Sequence, residues 1–109
     1  MLNQIVIVGR LTKEVEFTEG ENGIKTATMT LAVRRSYKNA EGQYDTDFID
    51  FVLYEGIANN TAEYCRKGDI IGVKGRIQTR NEEVNDEVKK ITEIIAEKVT
   101  FLSSKKSEE

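Results

Sequence analysis

The sequence predicts an all-β chain: a five-stranded antiparallel barrel with one short helix between its third and fourth strands. Three observations carry this. Segments 3–11, 26–35, 46–56, 69–80 and 91–102 are either β-branched apolar runs or alternate apolar with polar residues, the period of a strand. Segment 57–67 instead repeats its apolar residues at helical spacing. Gly72 and Gly75 interrupt an otherwise strand-like run, as a small closed sheet requires where it coils or bulges.

Taken in order, "NQIVIVGRL" reads as a strand buried on both faces, or on one face with a subunit contact on the other. "TEGENG", 18–23, is a polar glycine-bearing connection. In "TATMTLAVRR" the residues Ala27, Met29, Leu31 and Val33 point inward, and Thr26, Thr28, Thr30 and Arg34 outward. "SYKNAEGQYD", 36–45, is a polar turn. The third strand, "TDFIDFVLYEG", sets Ile49, Phe51 and Leu53 against Phe48, Asp50, Val52 and Tyr54. The helix 57–67 follows, with Tyr64 and Cys65 on its apolar side and Gly68 as a left-handed stop. Strand 69–80 points Ile71, Val73 and Ile77 one way and Lys74, Arg76 and Gln78 the other. "NEEVNDEVKK", 81–90, is a charged hairpin tip, and 91–102 closes the sheet.

Composition narrows the function. A length of 109 residues, with 39% hydrophobic and 32% charged, suits one globular core. The net charge is -3, but up to Arg80 acids and bases balance, 11 against 11, and the acidic excess lies beyond it. With no histidine and one cysteine, Cys65, there is no metal set and no internal disulfide. No phosphate-binding loop occurs. Asp45, Asp47 and Asp50 come nearest to an acidic cluster for a metal-dependent nuclease, but read better as solvated acids. No enzyme activity, catalytic residue, metal or cofactor is expected. Apolar runs such as "IVIV" are far too short to cross a bilayer, and no secretory signal opens the chain, so a cytoplasmic, nucleoid-associated protein without membrane contact is expected.

Two aromatic rings on the outward side of the third strand are unusual for a face meant only for water. A closed five-stranded sheet with this helix placement is the layout of the oligonucleotide-binding (OB) fold, whose second and third strands form the ligand face. The ordered pieces "LNQIVIVGRLTKE", "TLAVRRSYKNAEGQYDTDFIDFVLYEGIANNTAEYCRKGDIIGVKGRIQTR" and "TEIIAEKVTFL" resemble the bacterial single-stranded DNA-binding protein family from Met1 to about Leu102. The resemblance implies an OB domain over 1–102 and a short flexible charged tail over 103–109. It also implies a homotetramer that binds single-stranded DNA in replication, recombination and repair. Tyr37, Phe48 and Tyr54 fall where the family places its base-stacking aromatics. Arg10, Arg34, Arg35, Lys38, Lys74, Arg76 and Arg80 are the cations in reach of a strand on this face, with Arg34, Arg35 and Arg76 bordering the aromatic positions. Tyr44 is as much a loop anchor as a base contact.

Departures from the family pattern matter too. The chain has no tryptophan, so each ring offers less stacking area. The hairpin 81–90 has no aromatic and carries Glu82, Glu83, Asp86 and Glu87, so little DNA contact is expected there beyond Lys89 and Lys90. The acidic, proline-phenylalanine-ended tail that recruits replication and repair proteins is missing from "SSKKSEE", as in a truncated core or a variant from a phage or mobile element. Such partners are expected only if a longer natural tail exists. The competing reading is an OB-fold docking module, a primosome-like replication factor with weak DNA binding.

Overall fold

The computed structural model describes residues 2–19 and 25–103. Along the chain run β1 (Ile5–Leu11), β2 (Glu16–Glu19), β3 (Lys25–Lys38), β4 (Tyr44–Tyr54), α1 (Glu55–Tyr64), β5 (Ile70–Val84) and β6 (Glu87–Ser103). The tail expected over 103–109 lies, apart from Ser103, outside the described residues, as does most of the connection 18–23.

Strand order is β1-β5-β6-β4-β3-β2, and β1 also pairs with β3 through Arg10↔Ala32 and Leu11↔Leu31. That second pairing closes β1, β5, β6, β4 and β3 into a ring. Four of its seams are antiparallel, but β4 and β6 run parallel, joined at Phe51↔Ile94 and Val52↔Ile95. The expected wholly antiparallel barrel is thereby corrected to a mixed one. Five strands cannot alternate direction all the way round a ring, so one seam must be parallel, and it falls across the α1 crossover.

The unexpected β2 continues the path of β1 along the same edge of β3. Thr12 bridges the two by donating its backbone N–H and its hydroxyl to the Thr30 carbonyl, both at 3.0 Å, and Glu16–Glu19 then pair with Lys25–Thr28. Alternation elsewhere follows the predicted faces. Ala27, Met29, Leu31, Phe51, Leu53, Ile71 and Val73 fill the barrel with Leu11 and Ala96, while Ala58 and Cys65 of the helix region join them. Ile77 is exposed instead, because β5 runs on past the barrel into a two-stranded arm with β6.

The helix begins two residues earlier than its periodicity suggests and ends at Tyr64. Its buried stripe runs through Ala58, Thr61 and Cys65, which leaves Tyr64 at the stripe's edge and 67% exposed rather than in the core. Gly68 does take a left-handed φ of 96°, but in the turn after the helix rather than as its stop. There the Arg66 N–H donates to Asp69 Oδ2 and the Gly68 N–H to the Leu11 carbonyl. Arg66 Nη1 meanwhile donates to the Ala62 carbonyl, closing the helix end.

Closure brings backbones together where side chains cannot fit. A Cβ on Gly9 would lie 2.8 Å from the Ala32 carbonyl oxygen, and one on Gly75 would collide with that of Ile95, beside a register shift at Lys74/Gly75. At Gly72 the nearest atoms would be at ordinary contact distance, 3.6 Å to Leu102 and 3.8 Å to Val8. Gly75→Ala is therefore expected to cost about 1–3 kcal/mol in urea unfolding, and Gly72→Ala no more than about 0.5 kcal/mol.

Candidate nucleic-acid interface

Register builds the site. Because Phe51 and Leu53 face the core, Phe48, Asp50, Val52 and Tyr54 face out. Their partners across the β3–β4 seam are Ala32, Thr30, Thr28 and Thr26 in turn, all small. Phe48 is 67% exposed and Tyr54 43%. Six residues apart on one strand, they stand about 20 Å from each other, room for several nucleotides between. Between them Thr30 Oγ1 donates to Asp50 Oδ1 at 2.6 Å.

Tyr37 lies on β3, not in a loop, because β3 and β4 extend until only residues 39–43 turn. Asn39 holds that turn: its Oδ1 accepts from the Glu41 and Gln43 N–H groups, and its Nδ2 donates to Asp45 Oδ1. Tyr37 is 64% exposed, past a register shift between Arg34 and Lys38. Tyr44 pairs with Lys38 and receives two cations on its ring. The Arg34 guanidinium carbon is 4.2 Å and Lys38 Nζ 5.8 Å from its centroid, contacts worth about 0.5–1 kcal/mol at exposed sites.

The remaining cations divide by their partners. Arg76, Ile95, Val52 and Thr28 form one row across the sheet, so Arg76 stands two strands from the aromatic strand, about 10 Å. Its Nη1 donates to Gln78 Oε1 at 2.9 Å, and its Nε lies 3.6 Å from Glu97. Gln78 in turn donates to Glu93, which also takes Arg80 Nε at 3.2 Å. Glu82 lies 3.6 Å from Arg80. Lys74, between Val6 and Lys98 in the register, makes no ion pair among the described residues. Arg10 is half-buried and donates from Nη1 to the Gly68 carbonyl at 2.6 Å.

Arg35 is placed apart from the Phe48 and Tyr54 rings, with Tyr37 in its neighbourhood. Asp47 precedes Phe48, so its side chain leaves by the opposite face of β4, and Arg35 meets it there. Nε donates to Oδ2 at 3.0 Å and Nη2 to Oδ1 at 2.9 Å, with Asp45 at 3.6 Å. This two-pronged hydrogen bond, then the attraction of opposite charges, raises the Arg35 pKa, and the same bond lowers that of Asp47. A cleft of about 340 Å³ between α1 and β6 includes Tyr64, Phe101 and the buried Thr61 but none of the expected binding residues. Among the described residues no cluster of His, Cys, Asp and Glu could hold a metal, and no helix is long and apolar enough to cross a membrane.

Sequence reasoning does not foresee the Thr30–Asp50 bond, although it places both residues facing outward on neighbouring strands; only the register is missing. The Arg35–Asp47 pair gives a signed pH dependence. With the folded Asp47 value below its unfolded one, the pair's contribution is present above the ordinary aspartate range and lost as pH falls through the depressed value. A carbon-detected NMR titration is expected to find Asp47 below the ordinary aspartate value, and Arg35→Gln to bring it back.

The sequence model described as the Single-strand binding protein family matches residues 2–102. The chain is 47% identical over 108 residues to Single-stranded DNA-binding protein 3 of Listeria innocua, covering 98% of this chain and 68% of that one. To Single-stranded DNA-binding protein B of Bacillus subtilis it is 44% identical over 109 residues, covering 99% and 96%. Among solved structures, a Plasmodium falciparum SSB complex with ssDNA superposes with a TM-score of 0.77 at 32% identity, covering 94% and 96%. With the family model spanning nearly the whole chain and the same barrel recurring in a solved member, this chain belongs to the Single-strand binding protein family.

Proposed function

We propose that the protein binds single-stranded DNA with little regard to sequence and shields it during replication, recombination and repair, in the cytoplasm against the nucleoid. One observation carries this: Phe48 and Tyr54 stand exposed on the outward side of one strand, opposite alanine and threonines that leave their rings uncovered. Bases stack on such rings for about 1–3 kcal/mol each whatever their identity, and duplex DNA hides the faces that stack. The names of the relatives, and the single strand bound by the structural neighbour, point the same way. Tyr37 is a further exposed ring at the far end of β3, near Arg35 rather than between Phe48 and Tyr54.

Phosphates then follow the cations. Lys74, Arg34 and Lys38 are the best placed, the last two held over the Tyr44 ring, with Arg76 and Arg80 released from their carboxylates as DNA arrives. Arg10 and Arg35 are more closely tied to the turn and to Asp47, and add charge rather than direct contact. Each phosphate neutralised releases counterions, so affinity falls as salt rises.

Fluorescence anisotropy of labelled oligo(dT), at low and high salt and beside a matched duplex, tests this. The native chain is expected to bind the single strand alone, more weakly in salt, and Phe48→Ala with Tyr54→Ala to lose roughly tenfold or more. Equal weak binding to both DNA forms, indifferent to the two substitutions, would mean that the rings serve a protein contact.

The same reading includes a homotetramer. Val6 and Val8 are exposed on β1, and Leu102 lies beside Val8 across Gly72. Among the described residues the β1 edge away from β5 is paired only at Arg10 and Leu11. An apolar face beside an open strand edge favours pairing with a second copy. Light scattering at micromolar concentration is expected to give four chains, and a Val6→Lys, Val8→Lys variant a smaller species; a native monomer would overturn the tetramer.

A further inference from the structure

We propose that Asp50 reads base edges and makes the aromatic face prefer guanine to thymine, an inference that rests on the stacking reading above. Asp50 stands out among the acids of this hairpin. Asp47 is paired with Arg35 on the other face, and Asp45 lies 3.6 Å from the same guanidinium. Asp50 makes no ion pair among the described residues, yet occupies the face offered to DNA, between the rings of Phe48 and Tyr54. An unneutralised carboxylate in that place repels every phosphate that approaches it. A hydrogen bond to a base would offset that cost.

Position and chemistry agree. Asp50 is two residues from Phe48 on the same face, about 7 Å along the strand, a distance comparable to the breadth of one base. Thr30, directly opposite, donates to Oδ1 and so fixes the carboxylate on the sheet, leaving Oδ2 and the second lone pair of Oδ1 for a ligand. In a single strand the Watson–Crick edges are free. Guanine presents N1–H and N2–H side by side, matching two carboxylate oxygens. Adenine and cytosine each offer an amine beside a bare ring nitrogen that repels the second oxygen. Thymine offers N3–H between two carbonyls and matches worst. Stacking therefore tolerates every base, while Asp50 ranks them.

Anisotropy titrations with three probes test the ranking: oligo(dT), the same length with isolated guanines, and that oligonucleotide with hypoxanthine, which lacks the N2 amine, for guanine. The native chain is expected to bind the guanine probe about fivefold more tightly than oligo(dT), the lower end for a bidentate base contact, and the hypoxanthine probe only slightly more tightly. Asp50→Asn keeps an oxygen for Thr30 but replaces an acceptor by a donor, and should abolish or reverse the ranking. Asp50→Ser, smaller and uncharged, should abolish it as well. Equal native affinities for the three probes would overturn the proposal, as would variants that gain the same factor on all three, since that is plain repulsion of phosphates. Absence of native binding to any single strand would instead overturn the stacking reading and this one with it.

Discussion

The parity of β4 is the constraint on which the proposed ligand face depends. Burying Phe51 and Leu53, each worth about 1.5–3 kcal/mol out of water, forces Phe48, Asp50, Val52 and Tyr54 to the outside. A slip of one residue would expose both of those core side chains and drive Asp50 into an apolar interior, costing several kcal/mol more. The aromatic rings are thus held out by the core beneath them rather than by any contact of their own. That lets them remain uncovered without loosening the fold. The parallel seam reinforces this, because Phe51 and Val52, the residues that join β4 to β6, lie between the two rings in sequence.

On the proposed reading, electrostatics works by exchange on this surface. The two arginines of β5 that border it already have oxygen partners: Arg76 with Gln78 and Glu97, and Arg80 with Glu82 and Glu93. Exposed pairs of this kind are individually weak, about 0–1 kcal/mol. A phosphate can therefore replace a carboxylate at little cost, although the displaced acid stays nearby and subtracts from the gain. A chain of net charge -3 can hold a polyanion on these terms only if uncharged contact supplies much of the affinity, which returns the weight to the rings.

The strands that line the barrel are legible in the sequence because one side of each is buried and alternation records it; Met29, Leu31, Phe51 and Leu53 fall where their period puts them. The signal fails where strands leave the barrel. Residues 36–38, 81–84 and 87–90 are exposed on both faces, so strand and turn look alike in sequence, and Tyr37 reads as loop. β2 is four residues long and mostly exposed, too short and too polar to show a period. Tyr64 reads as core because a ten-residue helix admits two neighbouring stripes, and only packing against the sheet chooses between them. The cation partners are beyond reach for another reason: Arg10 and Gly68 are 58 residues apart, and such pairs depend on register between distant strands.

The β5–β6 arm shows how register can change the meaning of a charge run. In sequence, Glu82, Glu83, Asp86 and Glu87 form an acidic tip that should push phosphates away. In the hairpin, Asn85 and Asp86 make a two-residue turn with left-handed φ of 53° and 64°, the geometry that matches the natural twist of paired strands. The pairing then sets Glu82 opposite Lys89 and Asn81 opposite Lys90, with Arg80 also beside Glu82. Positive charge thus occupies the base of the arm, nearer the barrel. Glu83 and Glu87 face valines instead, and with Asp86 they confine the uncompensated acid to the last turn. Repulsion is therefore greatest at the tip of the arm, which on the proposed reading leaves its basic half free to border a strand lying on the aromatic face.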